Sequence, residues 1–71
     1  MMTPKYVQLA DSLRTLIRDG AFHDTRQLPT EVQLCEQYQV SRQTVRKALA
    51  ILEQEGYIYA VHGKGTFVSE R

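Results

Sequence analysis

The stretch Val40 to Leu52, VSRQTVRKALAIL, constrains this chain most, because it joins a helix start, a buried stripe and a cationic outer face in one short run. Ser41 is a good N-cap: its hydroxyl can accept a hydrogen bond from a first-turn amide, a contribution of about 1 kcal/mol. With about 100° between successive helical side chains, Val45, Ala48, Leu49 and Leu52 fall on one side, the spacing of a face packed on a core. Gln43, Arg46, Lys47 and Ala50 then point away. The first turns carry Arg42, Arg46 and Lys47 with no acid between them, and Ala50 is small enough to admit a flat partner. Such a face suits a polyanion. Arg and Gln can each make two hydrogen bonds to a base edge, Thr44 can bond an edge or meet a thymine methyl, and the helix amides beside Ser41 favour a phosphate. Taken alone, the same face fits an ordinary solvated surface equally well, so its meaning depends on what surrounds it.

Upstream, Thr30 followed by Gln33 is a capping-box pattern, which starts a helix running to about Tyr38 with Val32, Leu34, Cys35 and Tyr38 available for packing. Gln39 and Val40 are all that separate it from Ser41. Two short helices so joined, the second carrying the cationic face, form a helix-turn-helix. Before them, Met1 to Pro4 reads as a loose arm with Pro4 suited to a first helical turn. Tyr6, Leu9, Ala10, Leu13, Leu16 and Ile17 recur at helical intervals through Asp19, and Gly20 supplies a left-handed stop. Arg14 and Arg18 are expected to face solvent or a partner. Ala21 to Pro29 reads as a connector in which Asp24 and Thr25 form turns and Leu28 adds a short strand.

Downstream, Gly56 ends the third helix, and Tyr57, Ile58, Tyr59 and Val61 are residue types that populate strands. His62-Gly63-Lys64-Gly65 makes a tight tip, and Thr66, Phe67 and Val68 return as the partner strand. A hairpin placed directly after a helix-turn-helix is a wing. Lys64 at a narrow glycine apex can enter a minor groove, while Tyr57 and Phe67 are expected in the core. The predicted fold is α+β, mainly α: a winged helix-turn-helix of three helices and a small antiparallel hairpin, spanning residues 1 to 71 as one domain.

Composition bounds the function. At 71 residues and 8.2 kDa there is little room for a deep catalytic pocket, which typically needs several hundred cubic ångströms, and neither Cys35 nor the histidines have a nucleophile–base argument. An enzyme is disfavoured. The formal net charge is only +1, so the evidence lies in distribution: cations gather from Arg42 to Lys47 and at Lys64, while Asp19, Asp24, Glu31, Glu36, Glu53 and Glu55 lie elsewhere along the sequence. Cys35 cannot form an internal disulfide and reads as a small core residue. His23 and His62 lack partners at metal-ligand spacing, so no metal and no cofactor are assigned. Without a leader or long apolar run, the expectation is a cytoplasmic protein with no membrane partner. With the sequence ending just as the hairpin closes, no sensor domain is expected within these 71 residues.

With helix-turn-helix and wing both in view, the sequence resembles the N-terminal winged helix-turn-helix domain of the GntR family of bacterial transcriptional regulators, especially its HutC-like branch. The resemblance covers Tyr6 to Ser69 and rests on four ordered signatures: LPTE at Leu28 to Glu31, VSRQTVRKAL at Val40 to Leu49, LEQEGYI at Leu52 to Ile58 and GKGTFV at Gly63 to Val68. It implies a repressor-type regulator that binds a pseudo-palindromic double-stranded DNA operator as a homodimer, recognition helices in the major groove and wing tips in the minor groove. It also implies a C-terminal domain, absent here, that binds a small-molecule effector. Position by position, it places Arg42, Gln43, Thr44 and Arg46 on bases and nearby phosphates, with Lys47 on the same cationic face. His62, Gly63, Lys64 and Gly65 fall at the minor groove or backbone, and Ser41 and Thr30 serve as phosphate contacts or caps.

The sequence departs from the family pattern in four places. Val32 stands where a basic residue usually follows the LPSE-type motif, and Gln39 stands where the turn commonly has glycine, a left-handed position that costs a side chain on the order of 1 kcal/mol. His23-Asp24-Thr25 replaces the usual Pro-Gly, and Ala60-Val61 occupies a segment often bearing arginine. The competing reading from another class is a winged helix used for protein docking through Ile51, Tyr57 or Tyr59.

Overall fold

Pro4 opens the first helix, α1 (Lys5–Arg18), with φ at −57° and its carbonyl accepting from the Val7 and Gln8 amides at 3.1 Å. The computed structural model describes residues 3 to 69; Met1 and Met2 of the expected N-terminal arm, and Glu70 and Arg71, lie outside the described residues. Leu9, Ala10 and Leu13 are the buried stripe of α1. Its end follows from Gly20, whose φ of +82° lets the chain reverse so that Gly20 N–H donates to Ile17 O (3.2 Å) and Ala21 N–H to Leu16 O (2.9 Å).

The second helix, α2 (Glu31–Tyr38), begins at the anticipated capping box. The Gln33 amide donates to Thr30 Oγ1 at 3.1 Å and the Thr30 amide to Gln33 Oε1 at 2.8 Å. Leu34 is fully buried, and Cys35 and Tyr38 pack on the core beside it. Val32 does not pack as expected: it is 50% exposed, because two residues before Leu34 is about 200° around the helix.

Gln39 ends α2 in the left-handed conformation (φ 58°, ψ 48°), and Val40 N–H donates to Cys35 O at 3.2 Å. The third helix, α3 (Arg42–Gln54), buries Val45, Ala48 and Leu52 completely and Leu49 in part. It packs on α1, on α2 and on the first strand. Gly56 (φ 86°) ends it as Gly20 ends α1, with Tyr57 N–H donating to Leu52 O at 2.9 Å. Strands β1 (Ile58–Val61) and β2 (Gly65–Val68) pair antiparallel, Ile58 opposite Val68 and Val61 opposite Gly65. Ile58 joins the core while Tyr59 and Phe67 stack on the outer face, ring centroids 5.9 Å apart. Tyr57 packs against the core as expected; Phe67 does not, because its register with Tyr59 turns it to the other side of the hairpin.

The connector strand shrinks to a single bridge. Gln27 pairs with Phe67, Leu28 N–H donates to Thr66 O (2.9 Å) and Val68 N–H to Arg26 O (2.8 Å). Left-handed Arg26 (φ 60°) on one side and Pro29, which has no N–H, on the other stop the pairing from spreading. Arg14, expected to face outward, instead joins α1 to the end of α3: Nη1 donates to Asp11 Oδ1 (2.7 Å), Nη2 and Nε to Glu55 Oε1 (2.8 and 3.0 Å), and the guanidinium lies 5.8 Å from the Tyr57 ring centroid. The hydrogen bond to Asp11, then that to Glu55, raises its pKa.

Since Leu52 is fully enclosed, Leu52→Ala is expected to cost about 2 to 5 kcal/mol. Val32→Ala at its exposed site should stay within about 0.5 kcal/mol. Urea denaturation followed by far-ultraviolet circular dichroism measures both.

Candidate nucleic-acid interface

The cationic face begins where α3 begins. The Thr44 amide donates to Ser41 Oγ at 3.2 Å, so Ser41 is the anticipated cap, and its hydroxyl in turn donates to Thr44 Oγ1 at 3.0 Å. Thr44 is thereby turned back toward the cap and half-buried, less available as a reader than its place in the sequence implied. Gln43, Arg46 and Lys47 are exposed on the outer side, as the periodicity required, and so is Arg42.

That face is not purely cationic. The Glu31 carboxylate at the start of α2 accepts from Arg46 Nε at 3.0 Å and lies 3.5 Å from Arg42 Nε. Acids read as lying elsewhere along the chain therefore include one that the fold brings onto α3. The two guanidiniums are each about 65% exposed (64% and 65%) against 30% for the carboxylate, so the pairs add little to stability. What they do is hold both forks at one edge of α3. A second orienting contact lies on the other flank, where the Lys47 ammonium sits 5.4 Å from the Tyr6 ring centroid.

The wing tip is a turn over Val61 to Lys64, closed by Lys64 N–H donating to Val61 O at 3.0 Å. Gly63 holds φ of +78° at the third position, where a type II turn requires glycine. His62, Gly63, Lys64 and Gly65 are all exposed. Glu31, Arg46 and Ala50 share one shallow cleft with Ala60 and Thr66, so the outward side of α3 and the inner face of the hairpin open on the same side. Thr30, by contrast, spends its hydroxyl on the α2 cap. Sequence reasoning missed Glu31 and Tyr6 as partners of the cations; the first lies fifteen residues from Arg46, beyond any helical spacing that could reveal it.

Among the described residues no group of three His, Cys, Asp or Glu could hold a metal ion, and no helix is long and apolar enough to cross a membrane.

Three helices, a left-handed turn between the second and third, and a paired hairpin define a winged helix-turn-helix, a DNA-binding class of domain. Residues 5–68 match the family model for bacterial regulatory proteins of the gntR family. The chain belongs to that family and is one of its DNA-binding domains. It is 50% identical over 66 residues to the HTH-type transcriptional regulator YurK of Bacillus subtilis, covering 93% of this chain and 27% of the relative. It is 46% identical over 66 residues to the arabinose metabolism transcriptional repressor of Geobacillus stearothermophilus, covering 93% and 18%. Among solved structures, the AraR DNA-binding domain in complex with operator ORR3 superposes with a TM-score of 0.90 at 40% identity, over 97% of this chain and 83% of that one. The chain thus spans between 18% and 30% of the length of such curated relatives.

Ser41→Ala should remove about 1 kcal/mol. Hydrogen exchange at the Thr44 amide, the donor to that cap, should accelerate with it.

Proposed function

We propose that this domain reads a double-stranded DNA operator, with α3 in the major groove and the 62 to 64 tip in the minor groove. It would act as the head of a HutC-like repressor working in the cytoplasm as a homodimer on a pseudo-palindromic site. The observation that carries this is the cleft that Arg46 and Ala50 of α3 share with Ala60 and Thr66 of the wing, beside which exposed Arg42 is paired through Glu31. The AraR domain solved in complex with an operator, alike in fold and 40% identical, supports a DNA partner.

On this reading Arg42, Gln43 and Arg46 meet base edges, Lys47 and the helix start at Ser41 and Thr44 meet phosphates, and His62, Gly63, Lys64 and Gly65 line the minor groove. Thr30 lies at the α2 cap near the backbone. Phosphate contacts set register and the guanidinium and amide forks carry sequence information. Glu31 has a double role: it pre-orients two guanidiniums and its charge penalises unspecific approach of a polyanion. A small-molecule effector would bind a further domain of the full-length protein, and this head would carry out no catalytic step.

Selection of duplexes from a random pool at physiological salt should return a two-fold site. On that duplex, affinity should fall with salt at a log-log slope of about −0.9 per phosphate neutralised. Equal binding to a scrambled duplex would overturn the proposal. Arg46→Ala is expected to lose about 1 to 3 kcal/mol of discrimination at one base pair. Glu31→Gln should instead raise affinity for scrambled duplex and narrow the ratio of specific to non-specific binding, measured by fluorescence anisotropy.

A further inference from the structure

We infer that Gln27, a connector residue outside both the recognition helix and the hairpin, is a positioning residue for the wing tip. Its side-chain amide Nε2 donates to the Lys64 carbonyl at 3.0 Å, across 37 residues of sequence. Gly65 makes that approach possible: a Cβ there would lie 2.6 Å from Gln27 Nε2, and the glycine's φ of +127° is one that side chains rarely adopt. The register explains the reach. Gln27 is paired opposite Phe67, so its side chain shares a face of β2 with Phe67 and, two residues on, Gly65.

A hairpin of two four-residue strands is marginal by itself, and its turn is closed by the bond from Lys64 N–H to Val61 O and the flanking Val61–Gly65 pair. The connector supplies the missing constraint. Backbone bonds from Leu28 to Thr66 and from Val68 to Arg26 fasten β2 along its edge, and the Gln27 amide extends that fastening to the apex. The same short run continues through buried Leu28 and half-buried Pro29 into the Thr30 cap and Glu31, which holds Arg46. One continuous segment therefore touches the wing tip, the core and the recognition helix, and ties the angle of the tip to that of α3. The inference rests on the minor-groove placement of the tip proposed above.

The test compares Gln27→Met, which keeps the length but has no donor, with the tip variant His62→Ala/Lys64→Ala, on a duplex selected by this chain. Gln27→Met should weaken binding about three- to ten-fold, the span of one hydrogen bond's net contribution, while the melting temperature falls by no more than a few degrees. NMR relaxation should show a faster-moving Lys64 amide. Added to the tip variant, Gln27→Met should have almost no further effect. Wild-type affinity for Gln27→Met beside a weakened tip variant would overturn the role of Gln27 and leave the wing reading standing, and so would an equal loss in both backgrounds, which marks a general effect on the fold. If the tip variant itself binds like wild type, the minor-groove reading fails and this inference falls with it.

Discussion

The inner stripe of α3 is the contact on which the rest of this domain depends. Val45, Ala48 and Leu52 have no solvent exposure, and they meet Leu13 of α1 and Leu34 of α2 in the same cluster. A domain this small has few apolar residues to spare, so α3 is seated by those three positions. Their seating also decides what the helix shows outward. The rotation that buries Val45 and Leu52 leaves Gln43, Arg46 and Lys47 exposed, since residues at intermediate helical angles cannot be buried together. Core packing and the exposed cationic face are thus one constraint seen from two sides.

The turns that deliver the helices to this arrangement rest on left-handed residues. Glycine does so after α1 and α3 at no steric cost. Gln39 does so between α2 and α3 at a cost on the order of 1 kcal/mol, with its side-chain amide donating to Glu36 O at 3.0 Å and so satisfying one of the carbonyls a helix end leaves open. The departure from glycine at this position therefore leaves the helix-turn-helix geometry intact.

Charge is arranged with comparable economy. A net charge of +1 is no obstacle to a polyanion when the cations are exposed at the start of α3 and at the wing tip. Glu31 and Tyr6 hold three of them in defined directions, and Arg14 is withdrawn altogether into a bridge between α1 and α3. Contacts of this exposed kind matter less for stability than for lowering the entropy that ordering long side chains costs when a partner binds.

Much of this was legible in the residues themselves. Local rules placed Ser41 and Thr30 as caps, Gly20 and Gly56 as stops, and the buried and exposed sides of α3, because caps, φ preferences and helical periodicity act over a few neighbouring positions. The ordered LPTE, VSRQTVRKAL and GKGTFV signatures extended that to the family. Tertiary structure alone decided what meets across sequence distance: Glu31 against Arg42 and Arg46, Tyr6 beneath Lys47, Arg14 against Glu55, Phe67 outward on Tyr59, and Gln27 at the wing tip. Those pairings depend on how helices cross and on strand register, and a one-dimensional pattern carries neither, since a side chain's partner on another element is chosen by packing rather than by its neighbours in the chain.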